Sequence, residues 1–236
     1  MTTHTIQKLL LITLLTLSAS VFADNASKFY ATIQAGLSKS ISTGDIPGLD
    51  QHGTTVNGKS NDLGSGGVVG IGVGRYFNNN IRGEFLLNYR NGHQLDTPDT
   101  IYPSYSYKAD LKSVSMFLSG YYDFNSINLS GKSLTPYIGG GIGLARNDMG
   151  VTTITRSGEY LTSIEGKNVT EFAWKLGAGA NLNLTEKCSL DLNYQFVDLG
   201  KFKSGSLVSN TMTNMHKPFE GDYRTNELTI GLRYKF

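Results

Sequence analysis

The stretch Glu227–Phe236, ELTIGLRYKF, sets Leu228, Ile230, Leu232, Tyr234 and Phe236 against Glu227, Thr229, Gly231, Arg233 and Lys235. Period two places successive side chains on opposite faces of a strand, so this segment has one apolar face and one polar or small face. Working back from it, the same alternation marks strands at about 28–38, 67–77, 81–91, 109–124, 135–146, 169–184, 188–199 and 223–236. In 67–77, Val69, Ile71 and Val73 face Gly70, Gly72 and Gly74; in 81–91, Phe85, Leu87 and Tyr89 face Glu84, Asn88 and Arg90. No amphipathic helical period competes with this pattern.

The connections alternate in length. Those at 39–66, 92–108, 147–168 and 200–222 are long, while 78–80 and 185–187 are short and 125–134 has ten residues. Eight antiparallel strands with long loops at one end and turns at the other fit a transmembrane β-barrel. Alternation alone fits a soluble eight-stranded barrel equally well. The glycines decide between them. Much of the non-apolar face is Gly, at 70, 72, 74, 139, 141, 143, 177 and 179, where a water-facing surface would carry Lys, Glu and Thr. Rows of Gly beside large groups pack a narrow interior, which turns the apolar face toward lipid. Aromatics near the strand ends (Phe29, Phe77, Tyr122, Phe124, Tyr194, Phe196, Tyr234 and Phe236) are then expected as interfacial girdles. Arg75 falls on the outward face, two residues from a turn, where it can snorkel to the interface.

Composition excludes several classes. Charged residues are 17% of the chain and the net charge is +2, which leaves no basic field for nucleic acid. The single Cys188 excludes an intrachain disulfide and a Cys-based zinc site. Residues 9–22, LLLITLLTLSASVF, follow Lys8 and end near Ala23; the run is short for a spanning helix and reads as a signal peptide over 1–23, cleaved before Asp24. The barrel domain is then 24–236.

On the inward face the alternation collects Arg82, Arg90, Lys112, Lys175, Arg233 and Lys235 against Glu84, Asp123, Glu171, Asp191 and Glu227. Near-balance of sign predicts pairing, because charges in a confined interior are costly alone. The alternatives are a satisfied electrostatic plug and a gated polar pore.

Four segments carry a family resemblance: PYIGGGIGLA (136–145), FAWKLGAGANLNL (172–184), LDLNYQFVDLG (190–200) and the terminal ELTIGLRYKF. The chain resembles the eight-stranded outer-membrane barrels of the opacity, OmpA-type and surface-antigen group of Gram-negative bacteria. It departs from full-length OmpA-type proteins in having no peptidoglycan-binding domain after the barrel, so cell-wall tethering is not carried over. The resemblance implies Ile230, Leu232, Tyr234 and Phe236 as the signal read by the barrel assembly machinery. It also implies a surface of outer-membrane lipid and lipopolysaccharide around the barrel, a surface-antigen or adhesin-like role, and support of envelope integrity.

No catalytic, cofactor or metal site is read from the sequence. His52, His93 and His216 lie in or beside predicted loops, and His93 lacks the His-x-Ser pattern that lipid A deacylases of this size resemble, being followed by Gln94 and Leu95. Gly131-Lys132-Ser133 lacks the first glycine of a phosphate loop, since position 126 is Ser126. Tyr102, Tyr105 and Tyr107 in the second loop are candidate contacts for a host or other extracellular ligand, or else an outer girdle. The expected function is a scaffold displaying four loops; the alternatives are a small diffusion channel and a loop-based enzyme.

Overall fold

The computed structural model describes residues 28–41, 43–50, 52, 54–59 and 63–236. The expected signal peptide and its cleavage site lie outside the described residues. Eight long strands follow: β1 Phe29–Ser40, β2 Ser65–Tyr76, β3 Ile81–Pro98, β4 Tyr105–Asp123, β5 Lys132–Met149, β6 Lys167–Asn183, β7 Cys188–Lys203 and β8 Glu220–Lys235. Each pairs antiparallel with its neighbours in sequence, and β1 pairs with β8. The sheet is therefore a closed ring of eight strands.

Its register gives its shape. From Ala31 the paired residues run Val73, Phe85, Leu118, Ile142, Trp174, Asp198 and Arg224, and the Arg224 carbonyl accepts from Ile41 N–H at 3.0 Å. One circuit thus climbs from Ala31 to Ile41. With a rise of about 3.3 Å per residue and strands about 4.8 Å apart, that stagger corresponds to a tilt of roughly 40°.

Every strand expected from the alternation is present. The outward face carries Val69, Ile71, Val73, Phe85, Leu87, Leu118, Ile142, Leu228, Ile230 and Leu232, all exposed, and the inward face carries the buried polar groups. Exposed Arg75 stacks on Phe29, its guanidinium carbon 5.2 Å from the ring centroid. At the end that holds the termini, Tyr122 and Phe124 meet edge to face at 5.2 Å, as do Tyr234 and Phe236 at 5.8 Å.

The strands depart from expectation at their other ends. β3 and β4 continue as a hairpin to Pro98 and Tyr105, past the expected limits at 91 and 109. Two β-bulges lie at this end, between Arg90 and His93 in β3 and between Asp198 and Lys201 in β7, each containing a left-handed glycine, Gly92 (φ 96) and Gly200 (φ 76). A bulge adds one residue and switches which parity points inward. Hence His93, Leu95 and Thr97 are buried after Arg90, and Phe202 after Leu199. This corrects the placement of His93 in an outside loop: it is a buried strand residue.

The ten-residue turn at 125–134 is a small hairpin in which Ile127–Leu129 pairs with the start of β5 through Ser130 (φ 50) and Gly131 (φ 82). The same Ser-Gly device, Ser157 (φ 52) and Gly158 (φ 90), closes a hairpin of Thr152–Arg156 with Glu159–Ile164 in the third loop. Both central residues being left-handed matches strand twist in two-residue turns. Gly131 therefore closes a turn, and Lys132 and Ser133 begin β5.

The inward glycines meet a tight wall. A Cβ on Gly143 would run into the carbonyl oxygen of Met116, and one on Gly139 into the Tyr121 ring, whereas a Cβ on outward Gly120 meets nothing within 4 Å. Gly143→Val is expected to abolish the folded, boiling-sensitive band on a denaturing gel, and Gly120→Ala to retain it. Equal folding of the two would refute the tight-wall argument.

Candidate functional site

Two regions stack along the barrel axis: a polar lumen, and an apolar cap built by the loops. In the lumen near the termini, Arg82 packs against both Tyr121 and Tyr137, with its guanidinium carbon 3.8 and 4.6 Å from their ring centroids. Its Nε donates to Asp123 at 3.1 Å and its Nη1 to the Tyr30 hydroxyl at 3.1 Å, with Glu84 at 3.9 Å. Arg233 donates to Asp191 at 2.6 Å and to the Tyr76 hydroxyl at 3.0 Å. Tyr137 donates to the second Asp191 oxygen at 2.6 Å, and Lys175 to the Tyr121 hydroxyl at 3.3 Å. Guanidinium groups suit this setting because a planar cation both stacks on rings and forks onto carboxylates.

Farther up, Arg90 and Glu227 form an ion pair in which both side chains are 0% exposed. The Glu227 carboxylate accepts from Arg90 Nε and Nη2, Gln195 (2.8 Å), Ser38 (3.1 Å) and Thr225 (3.1 Å), and Arg90 Nη1 donates to Ser115 at 2.6 Å. A buried charge persists only when donors saturate it in this way. One step above, His93 Nε2 donates to the Ser38 carbonyl at 2.9 Å, so its Nδ1 accepts from the Tyr223 hydroxyl.

The structure brings together Arg82, Glu84, Asp123, Lys175, Asp191 and Arg233 in one group, and Arg90 with Glu227 in another. Glu171 lies half-buried near the rim, with no ion pair among the described residues. Lys235 is half-buried over Tyr76, 5.0 Å from the ring centroid. Lys112 is a correction: it is exposed on the outward face beside Val114, since β4 buries its odd residues, Ser113 and Ser115 among them.

Above His93 the interior turns apolar. Leu63, Leu95, Leu111, Met149, Leu199, Phe202, Phe219 and Tyr223 belong to one buried cluster that also takes in Ile46, Ile164 and Val208 from the loops. The first loop contributes a hairpin, Ile46–Leu49 with Thr55–Gly58, tied to β3 by Lys59 N–H to Pro98 O (2.9 Å) and Thr100 N–H to Asn57 O (2.7 Å). The third-loop hairpin extends the barrel wall by pairing Tyr105–Lys108 with Thr153–Arg156, and fourth-loop Val208 pairs with Ile164. At the rim Glu220 meets Lys201 at 3.1 Å and Lys203 at 3.3 Å, and the hydrogen bond from Lys201 holds its carboxyl below the usual range.

The three loop tyrosines differ in exposure. Tyr102 is exposed and Tyr105 half-buried, with ring centroids 6.3 Å apart. Tyr107 is 4% exposed, which corrects its assignment as a surface contact: it packs on Phe219 at 4.7 Å and donates to Asp99 at 2.7 Å. Burial first, then the Asp99 carboxylate, push its phenol well above the ordinary tyrosine range. An Asp99–His93 dyad is conceivable from the sequence, but Asp99 binds Tyr107 while the His93 ring binds Tyr223 and Ser38. His52 and His216 are exposed, and both meet Asp50 through backbone N–H groups. The His93 ring meets a hydroxyl and a backbone carbonyl, not a carboxylate. Among the described residues no group of three His, Cys, Asp or Glu side chains is placed to hold a metal.

Residues 9–236 match the family model of the outer membrane protein beta-barrel domain. Outer membrane protein PagN of Salmonella typhimurium is 27% identical over 132 residues, which is 55% of this chain and 52% of PagN, so the chain spans about half the length of that relative. A Rickettsia conorii protein named "Putative adhesin RC1281" is 29% identical over 185 residues, 75% of this chain and 71% of its own. Among solved structures, Neisserial surface protein A has a TM-score of 0.51 at 22% identity, covering 88% of this chain and 97% of that one. OprG from Pseudomonas aeruginosa also gives 0.51, at 16% identity, with 89% and 98% covered. These two likenesses concern the fold. With its closed ring, lipid-facing apolar belt and polar interior, the chain belongs to the outer membrane protein beta-barrel family and resides in the outer membrane of Gram-negative bacteria.

Proposed function

We propose that this protein is a closed outer-membrane scaffold whose loops make adhesive contact with a host surface or another extracellular ligand. The observation that carries the reading is the cap: the loops share one apolar core and extend the barrel wall, so they hold a shaped surface in place above the membrane. That surface exposes Ile101, Tyr102, Tyr160, Leu161 and Met212. Exposed apolar and aromatic groups on a rigid support are typical anchors for a protein partner. The adhesin named among the rickettsial relatives points the same way. Changing Tyr102, Tyr160, Leu161 and Met212 together to Ser is expected to reduce attachment of displaying cells to host cells. Unchanged attachment would remove the loops from the role.

The lumen favours a scaffold over a channel, because its charges are spent on one another. Planar-bilayer recordings of the refolded mature chain are expected to stay silent, while stable ohmic steps would establish a diffusion channel. Arg90→Ala leaves Glu227 buried without its partner, a change that costs about 3–5 kcal/mol in comparable buried pairs. A marked fall in the temperature at which the folded band disappears is the expected reading, and an unchanged temperature would mean that water already reaches Glu227.

Around the barrel, the exposed apolar belt and its girdle fit outer-membrane lipid and lipopolysaccharide. For assembly we assign the signal to Ile230, Leu232 and Tyr234, an outward row on β8, and to exposed Phe236 directly after it. A chain ending at Lys235 is expected to reach the outer membrane at reduced level; normal levels would sink this assignment.

A further inference from the structure

A cleft of about 370 Å³ opens in the cap where the loops converge. Tyr102, Tyr105 and Tyr107 line it together with Phe219, and half-buried Val56 and Ile154 and exposed Leu161 add apolar surface. Among its lining residues Asp50 is the one that carries charge.

A second carboxylate stands behind the tyrosines. Asp99 is 2% exposed and accepts four hydrogen bonds: from the Tyr107 hydroxyl (2.7 Å) and from the backbone N–H groups of Asn57 (2.9 Å), Ile101 (2.7 Å) and Tyr102 (2.8 Å). No cationic side chain pairs with it among the described residues. Its four donors are neutral, so the group keeps a net negative charge in a place where water screens poorly. Accepting from the Tyr107 hydroxyl also leaves that ring more electron-rich. Aromatic faces carry negative potential and attract cations, and this wall already does so, since Arg156 sits 5.6 Å over the Tyr105 centroid. The cleft therefore combines aromatic faces with a charged Asp50, backed by buried Asp99, and none of its lining residues is cationic.

We propose that this cleft receives a lysine side chain presented by an extracellular polypeptide. A lysine carries an apolar four-carbon stem, which the walls of Val56, Ile154 and Leu161 can cover, and an ammonium head for the rings and the Asp50 carboxylate. A quaternary ammonium would satisfy the rings but has no N–H for the oxygens of Asp50 and Thr54. The assignment rests on the adhesive reading above and names the chemistry of its partner.

The test uses the refolded chain in maltoside micelles, followed by tyrosine ring resonances. Three probes are titrated: Nα-acetyl-lysine methylamide, its norleucine analogue without the amine, and choline. The lysine probe is expected to saturate, and to bind about fivefold tighter than norleucine, an advantage of the size typical of a partly desolvated cation on aromatic rings. Asp50→Asn, which keeps an acceptor oxygen for His52 and Thr54, and Tyr105→Leu should each remove most of that advantage while leaving the boiling-sensitive band intact. Norleucine binding as tightly as lysine would make the cleft merely apolar and overturn the proposal. Choline matching lysine, or no saturable binding by lysine, would overturn it too. Loop-dependent adhesion by cells whose purified chain ignores the lysine probe would overturn this assignment alone. Probe binding without adhesion would instead overturn the adhesive reading and leave the lysine site standing.

Discussion

Pairing of β1 with β8 is the constraint on which the rest depends. Inside hydrocarbon no water can satisfy a free backbone N–H or C=O, so a sheet that crosses a membrane has to close on itself. Closing eight strands with the observed stagger makes a narrow barrel, and narrowness dictates the interior. Where a neighbouring strand bends close, only hydrogen fits in place of a side chain, as at Gly143 against Met116. The space left between such glycines is taken by Arg82 with its tyrosines and by Arg90 with Glu227. Those cations sit in a volume that cannot hydrate them, which is why each is met by carboxylates and hydroxyls.

The same strands serve a different purpose above the membrane. Bulges at Gly92 and Gly200 switch the inward parity, and within five residues the interior changes from the Arg90–Glu227 pair through His93 to Leu95. From that point the barrel wall encloses an ordinary apolar core, closed over by hairpins from the loops. A folded cap fits recognition better than passage, since it fixes the geometry of exposed side chains while filling the mouth. Asp99 illustrates the economy of this arrangement: one buried carboxylate gathers the first loop through Asn57 and the second through Tyr102, and sets the charge behind the cleft.

Much of this was legible without coordinates. Alternation named all eight strands, since a half-buried strand writes its two faces into consecutive residues. The glycine rows identified the lumen side, and the near-balance of inward charge anticipated pairing. Partners were not legible. That Arg90 meets Glu227, 137 positions away, follows from strand order and shear, which no local pattern carries. Lys112 was misjudged because its charge was given more weight than its parity with Val114. His93 and Tyr107 were misjudged because a bulge and a strand extension continue the sheet beyond the lipid belt, where the hydrophobic signal weakens.

The sequence by itself therefore determined the strands, the facing of each side chain within the membrane and the class of fold, because lipid imposes a strict period-two rule on every residue it touches. Only the tertiary structure decided how the loops combine, which charges pair, and that Tyr102, Tyr105, Tyr107, Phe219 and Asp50 surround one cleft. Outside the membrane no such periodic rule acts, and contacts between residues from four separate loops arise only once the barrel has closed and set those loops side by side.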